Sequence, residues 1–350
     1  MKELTFQEKY NAIGRKDALY EGVFITAVKT TGIFCRPTCR ARKPKIENVL
    51  FYDTVQEALQ NGYRACKICK PIEHLGETPE YIKCLIKELH NNSYIRIKDY
   101  DLVQRGIDPS KIRRWFKKNH NITFHAYQRM VRINAAFNSI KQGEAVTTSA
   151  YESGYESLSG FNESYRSIFG EPPTDSNKKT VLNIVRFTTP IGPMYACASE
   201  NGVCLLEFTD RKMLETEFKD LCKRLNAAIL PGRNRHLDQA QFELKEYFSG
   251  KRKTFSVSLD TPGTEFQISV WQVLHDIPYG ETHSYKQQAI ALGNPKAVRA
   301  VASANGHNRV SIIIPCHRVI GANGSLTGYG GGIHRKEWLL KLEKSHANQK

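Results

Sequence analysis

Cys35 and Cys39 are followed, after a domain-sized loop, by Cys66 and Cys69. Two close thiol pairs spaced this way are the ligand pattern of a tetrahedral zinc site. Such a site dictates a local fold, because the energy of binding the metal is also folding energy. A redox Cys-X-X-Cys pair would need a different setting, and a disulfide framework would need a secretory leader. Met1 to Tyr10 is charged and has no apolar core, and no run is long enough to span a membrane. The expectation is a reducing cytosolic compartment, where these thiols stay free to bind metal. Spacing alone fits a closed structural site. The flanking run Thr30-Thr31-Gly32-Ile33-Phe34-Cys35-Arg36-Pro37-Thr38-Cys39-Arg40-Ala41-Arg42 is dense in cations and hydroxyls, and those groups suit phosphate contacts.

Another cysteine stands in Ile314-Pro315-Cys316-His317-Arg318-Val319, at the end of the apolar run from Val310 to Ile314. A thiol is a weak nucleophile until it becomes a thiolate. A neighbouring imidazole can take its proton, directly or through water. A bare Cys-His pair also fits a buried cysteine at a strand end, so the surroundings matter. Downstream lie a glycine-rich loop from Gly321 to Gly332, carrying Tyr329, and an amphipathic helix around Lys336 to Glu343. Glycine lets backbone come close to a ligand. Upstream, Asn294-Pro295 reads as an N-cap followed by a first helical position, opening a helix rich in small residues that can approach another backbone, or DNA, closely. Thr264 with Gln267, and Ser284 with Gln287, fit capping boxes. Phe266, Val270, Val273, Leu274 and Ile277 recur at helical spacing. The pattern predicts three helices from about 264 to 304, with a turn at Pro278-Tyr279-Gly280 between the first two.

The segment from about Val181 to Lys344 resembles the O6-alkylguanine-DNA alkyltransferases, whose acceptor motif is the Pro315-Cys316-His317-Arg318-Val319 run. The resemblance implies that Cys316 takes an alkyl group and that His317 activates it through a water. Glu343 would orient His317, and Asn308 would be the hinge holding the reading helix against the acceptor loop. Arg299 would replace the extruded nucleotide in the stack. Tyr285 would rotate the phosphate and help bind the flipped base, and the loop around Tyr329 would close over that base. Gly330 departs from relatives that often place serine there. The O6 atom lies inside a stacked duplex, so the chemistry requires flipping, at a cost of a few kcal/mol. The product thioether has no leaving group for water to displace, so the implied enzyme is a single-turnover methylated-DNA cysteine S-methyltransferase.

Tyr10 to Pro71 is similar to the N-terminal domain of the bacterial Ada family. The resemblance implies that Cys35 removes a methyl group from a DNA phosphotriester while Cys39, Cys66 and Cys69 stay as zinc ligands. Thr31, Arg40, Arg42 and Arg64 would contact phosphate. Four thiolates on one divalent ion carry about two negative charges, and methylating one thiolate removes one of them. A unit charge roughly 10 Å from a phosphate is worth about 1–2 kcal/mol at an effective dielectric near 20, less what salt screens. A methyl mark can therefore become a change in DNA affinity.

Between these ends, Leu102 to Gly106 leads into Pro109 to Lys118, and Ser149 to Gly154 leads into Leu158 to Gly170. Each is a helix, a glycine turn and a second helix, as in a helix-turn-helix. A generic helical bundle would look alike. The pair resembles the AraC-type tandem module, more clearly in its second half, because Asp99-Tyr100-Asp101 stands where an alanine-rich helix is usual. Lys111, Arg113, Arg114, Lys117 and Lys118 could read DNA or form a solvated basic face. Linkers are expected near Pro71-Gly76-Pro79 and from Pro172 to Lys178. Cys84, Cys197, Cys204 and Cys222 have no partner at metal spacing and read as core or incidental.

The 350 residues allow two or three domains, and a net charge of +16 is the footprint of a polyanion binder. The reading is a multidomain α+β chain. It comprises a zinc-binding domain (1–76), an all-α AraC-type module (80–176), a small α+β alkyltransferase subdomain (180–262) and a helical, winged-helix-like acceptor subdomain (263–350). Expected partners are alkylated DNA, promoter DNA and RNA polymerase. The chain is expected to be a monomer, cytoplasmic and nucleoid-associated, and not on a membrane. Expected substrates are O6-methylguanine, O4-methylthymine and methylphosphotriesters, with the methylated protein activating transcription. Two rivals remain open at this point: a regulator that only senses damage, and a thiol hydrolase built on Cys316 and His317.

Overall fold

The structure is a computed structural model describing residues 4–16, 20, 23–69, 71 and 78–347, without the side chains of 176–178. The expected linker near Pro71-Gly76-Pro79 lies largely outside the described residues.

Helix α1 (Phe6–Arg15) starts at Thr5, which forms a reciprocal capping box with Glu8. Strands β1 (Ile25–Val28), β2 (Ile33–Cys35), β3 (Val49–Tyr52) and, after helix α2 (Val55–Gln60), β4 (Arg64–Ala65) form one sheet in the order β3-β1-β2-β4. Strand β2 is antiparallel to β1 and parallel to β4. Ile25, Ala27 and Phe34 face Ala58 of α2 in a small core. Pairing β2 with β4 is what matters for chemistry: the Cys66 N–H bonds the Phe34 carbonyl at 2.9 Å, so the two cysteine pairs are drawn to the same sheet edge.

The middle holds α3 (Glu80–Asn91), α4 (Asp99–Gln104), α5 (Pro109–His120), α6 (Phe124–Lys141), α7 (Val146–Glu152) and α8 (Leu158–Phe169). Asp108 caps α5 through the Ser110 N–H, with Pro109 at the first turn, and Ser157 caps α8. The acidic Asp99-Tyr100-Asp101 still forms a helix, because Asp101 accepts the Lys98 N–H at 2.7 Å and acidic groups suit a helix N-terminus. Gly154, at φ +75°, has no room for a side chain, since a Cβ would sit 2.6 Å from the Tyr94 carbonyl oxygen. The long α6 joins two cores, one around Leu102, Ile112 and Phe116 and one around Phe137, Phe161 and Phe169. The expected linker from Pro172 to Lys178 is corrected: Pro173–Lys178 is a 3-10 helix against α6 and α8. Apolar packing makes it so, because Val181 and Leu230 complete the Phe137–Phe169 core.

Strands β5 (Thr180–Thr189), β6 (Gly192–Ala198), β7 (Val203–Phe208) and β8 (Ala227–Pro231) form a second sheet, ordered β7-β6-β5-β8. One face packs on α9 (Leu214–Arg224), with Cys197 and Cys204 buried in that layer. The other packs on α10 (Arg235–Phe248), in a core that continues to Cys316. Cys84 is exposed and Cys222 half-buried.

The last segment holds α11 (Glu265–His275), β9 (His283–Ser284), α12 (Tyr285–Ala291), α13 (Val298–Gly306), β10 (Val319–Ile320) and α14 (Ile333–His346). Both expected capping boxes are present. The expected start of α13 at Asn294-Pro295 is corrected to Val298, capped by Ala297 without a side-chain bond. The Asn294 carbonyl accepts the Ala297 N–H at 3.0 Å, closing a tight turn where the helix was expected.

Candidate functional site

The run before Cys316 is pinned to the edge of β7: the Leu206 N–H bonds the Arg309 carbonyl and the Ser311 N–H bonds the Leu206 carbonyl. Ile312 is fully buried at φ +74°, a conformation that costs a β-branched residue on the order of 1–3 kcal/mol. This sharp reversal turns the chain into the 3-10 turn Cys316–Arg318. Asn308 clamps it. Its Nδ2 donates to the Ile314 carbonyl at 2.8 Å and to Cys316 Sγ at 3.1 Å, while its Oδ1 accepts the Val310 N–H. Burial pushes the Cys316 thiol up to about 11 and Glu207 adds to the rise; the Asn308 bond, Arg211 and Lys336 oppose it.

His317 is fully buried, with Nε2 2.8 Å from Glu343 Oε1. Its Nδ1 is buried and has no hydrogen-bond partner among the described residues. Burial lowers the imidazole's proton affinity, and Glu343 counteracts that. Glu343 also accepts from Tyr247 Oη at 2.7 Å, the Gly280 N–H at 3.1 Å, and Arg318 Nε and Nη2 at 2.9 and 3.0 Å. Burial alone would raise this carboxyl, but His317 and Arg318 hold it well below the usual carboxylate range.

Tyr285 is half-buried and its hydroxyl donates to the Thr327 carbonyl at 3.3 Å, tying α12 to the glycine-rich loop. The Tyr329 ring lies edge-on to His317, centroids 6.4 Å apart. Arg299 is exposed on α13 and does not join this cluster.

Sequence reasoning missed three buried charged groups around the thiol: Lys336, Glu207 and Arg211. Lys336 Nζ donates to the Val319 and Thr327 carbonyls, and burial pulls its ammonium down to about 8. Glu207 accepts from Ser311 Oγ at 2.6 Å and pairs with Arg211 at 3.1 Å; burial pushes its carboxyl up to about 7. Arg211 also pairs with Glu217 at 2.7 Å and donates to the Gly306 carbonyl. The Gly330 departure has its explanation here, since a Cβ would run into the Arg211 guanidinium.

At the other end of the chain, the sulfurs of Cys35, Cys39, Cys66 and Cys69 all lie within 4.8 Å of one another, with Cys39 and Cys66 3.9 Å apart. Four sulfurs at about 2.3 Å from a tetrahedral zinc ion sit roughly 3.8 Å from each other, so these residues fit the metal. The bond between Cys35 and Cys69 pushes the Cys35 thiol up and pulls Cys69 down to about 5, as expected when crowded thiols cannot all ionise without a cation among them. The Arg36 N–H donates to Cys69 Sγ at 3.3 Å. Thr31, Arg40, Arg42 and Arg64 are exposed on segments flanking the thiols.

Four family models match in succession: the metal binding domain of Ada (8–71), a helix-turn-helix domain (104–179), and the ribonuclease-like (186–261) and DNA binding (265–345) domains of 6-O-methylguanine DNA methyltransferase. The bifunctional transcriptional activator/DNA repair enzyme Ada of Escherichia coli is 34% identical over 348 residues, covering 97% of each chain. The chain belongs to the Ada family. The regulatory protein Ada of Salmonella typhimurium is 33% identical over 351 residues, again 97% of each. A crystal structure of the Mycobacterium tuberculosis O6-methylguanine methyltransferase is 43% identical, covering 48% of this chain and 96% of that one, with a TM-score of 0.42. Within the Ada-family order, the four thiols fall in the metal binding domain. Cys316, His317, Asn308 and Glu343 fall in the DNA binding domain, whereas Glu207 and Arg211 reach the thiol from the ribonuclease-like domain.

Proposed function

We propose that this Ada-family protein repairs alkylated DNA stoichiometrically, taking methyl groups from O6-methylguanine and O4-methylthymine onto Cys316 and from methylphosphotriesters onto Cys35. The methylated protein activates transcription of alkylation-response genes. The observation that carries the reading is the buried chain from Glu343 through His317 to the acceptor turn, with Asn308 bonded to the sulfur. His317 Nδ1, without a partner among the described residues, is the atom that takes the Cys316 proton through a water. The sulfur lone pair forms the S–C bond as the C–O6 bond breaks; the electron pair of the broken bond stays on the base, which takes a proton at its ring nitrogen from water while the imidazolium returns its own proton to water. Glu343 stabilises the imidazolium formed meanwhile. Tyr329 and Tyr285 hold the flipped base, and exposed Arg299 fills the gap in the stack.

Cys35, Cys39, Cys66 and Cys69 would hold a zinc ion, whose charge keeps the sulfurs deprotonated at neutral pH. Cys35 forms the S–C bond while the methyl C–O bond of the triester breaks, leaving an ordinary phosphodiester. Thr31, Arg40, Arg42 and Arg64 contact the backbone. The domains run 1–76, 80–176, 180–262 and 263–350. Promoter DNA and RNA polymerase are partners; the relative's own description as a transcriptional activator supports the latter. Each centre is complete within one chain, which supports a monomer. A cytoplasmic, nucleoid-associated protein is supported by the +16 charge, and no described helix is long and apolar enough to cross a membrane. The test is incubation with DNA carrying both lesions, followed by peptide mass mapping: one methyl on Cys35 and one on Cys316 is expected. A Cys316→Ala protein that still clears O6-methylguanine overturns the assignment.

A further inference from the structure

Away from both thiol centres, a cavity of about 780 Å³ lies between the first helix-turn-helix unit and the sheet of the C-terminal half. Helices α3, α5 and α6 form one wall; β5, β6 and Arg233 form the other. Its volume is in the range of small-molecule sites. Trp115, His120, Tyr127 and Tyr195 give it aromatic sides, and Lys83, Lys87, Arg186 and Arg233 line it, with Lys83 and Arg233 already paired with Glu80 and Asp238 behind them. No aspartate or glutamate lines it among the described residues.

The polar groups inside are specific. Arg186 Nη1 donates to Thr78 Oγ1 at 3.0 Å, and its guanidinium sits 5.6 Å from the Trp115 ring. His90 Nε2 lies 3.1 Å from Tyr127 Oη. His120 packs on Trp115 at 5.3 Å, and its Nε2 is buried with no partner among the described residues. Burial, aided by Arg233 and Arg186, pulls both imidazoles down to about 4. They are therefore neutral at pH 7, each able to donate one hydrogen bond and accept another.

A purely apolar occupant would leave His120 Nε2 unpaired in a buried site, which costs free energy. A simple inorganic anion would leave the aromatic walls unused. A ligand with a flat heteroaromatic ring and a charged tail satisfies both. We propose that this cavity binds a nucleoside phosphate, the base held among Trp115, Tyr127 and Tyr195 and the phosphate by Arg186 and Lys87. Its walls come from two modules, so an occupant contacts the promoter-reading half and the repair half at once.

The test is isothermal titration of the full-length protein with AMP, GMP, CMP and UMP, and with adenosine and inorganic phosphate alone. At least one nucleotide should bind with a Kd below about 1 mM. Adenosine and phosphate should each bind at least about tenfold more weakly, because each lacks half of the contacts. Lys87→Glu, at an exposed position on the rim, should weaken nucleotide binding several-fold without disturbing the fold. Arg186→Gln should weaken it about tenfold or more, the usual loss for a charge-assisted bond. Methyl transfer to Cys316 should be unchanged in both variants, and their circular dichroism and thermal midpoints should match the parent, which shows that both halves are folded. Absence of binding by every nucleotide, or binding that neither substitution alters, overturns the proposal. Phosphate binding as tightly as the nucleotides overturns the nucleoside part.

Discussion

Asn308 Nδ2 is 3.1 Å from Cys316 Sγ, and the same nitrogen holds the Ile314 carbonyl two residues before the thiol. One amide thus sets both the position of the sulfur and its readiness to ionise.

Asn308→Leu should slow methyl transfer about 10- to 150-fold, the loss of a hydrogen bond to a charged group of about 1.5–3 kcal/mol. Asn308 works to lower the thiol's pKa, so its removal raises it. Single-turnover rates across pH should show the variant's deficit narrowing in alkali. A parallel pH profile would mean that Asn308 only shapes the loop.

Glu343→Gln should destabilise the acceptor domain by about 3–5 kcal/mol, because Arg318 would be left buried without its counter-charge. Denaturation followed by tryptophan fluorescence in a Trp115→Phe background reads this through Trp271 and Trp338. The pH dependence has a definite sign. The Glu343 carboxyl is held below its ordinary value, so its stabilisation is present above the unfolded pKa of about 4.3 and is lost as pH falls through the folded value. The Glu343→Gln protein should show a shallower acid slope than the parent. Matching slopes would count against the assignment.

Cys66→Ser should lower zinc content, and chelation should melt the N-terminal sheet while Cys316 still accepts methyl groups. Metal analysis and transfer assays check both. Full metal content in the variant would rule out this ligand set.

Methylating Cys35 should tighten promoter binding by about 1–3 kcal/mol, the usual size of coupling between sites. The gain should shrink as salt rises, since it comes from relieved repulsion. It should survive Cys316→Ala and vanish when the segment from Tyr81 to Pro173 is deleted. Titration of promoter DNA with both forms at several salt concentrations decides it, and equal affinities at low salt would reject a charge switch.

Gly330→Ala should cost about 1–3 kcal/mol, the usual range for overpacking, because Arg211 is held by Glu207 and Glu217 and cannot swing away freely. Thermal unfolding checks it; an unchanged midpoint would show that the guanidinium yields.

The four-cysteine cluster was legible because its residues sit at short, fixed spacings, and both capping boxes because they are local, whereas Asn308 and Glu343 were expected beside Cys316 only through the resemblance carried by the acceptor motif. Glu207 was not. In Val203-Cys204-Leu205-Leu206-Glu207-Phe208 a glutamate reads as the solvent face of a strand, and only the distant Ser311 and Arg211 reveal it as buried. Nothing local marks Lys336 as buried either; its carbonyl partners are Val319 in β10 and Thr327 in the glycine-rich loop. The segment from Pro172 to Lys178 carries linker composition, and nothing local announces that Val181 and Leu230 will close the core beside it.

That shared core also has a consequence for how the chain is made. Phe169 leaves the ribosome about 60 residues before Leu230, and at roughly 5–20 residues per second the interval is about 3–12 s. Throughout it, Phe137 and Phe169 belong to a nascent module whose last apolar neighbours have not yet been synthesised. The DNA-reading half therefore completes its packing only after the repair domain has been translated through β8, and a chain truncated between the two would expose a sticky aromatic face.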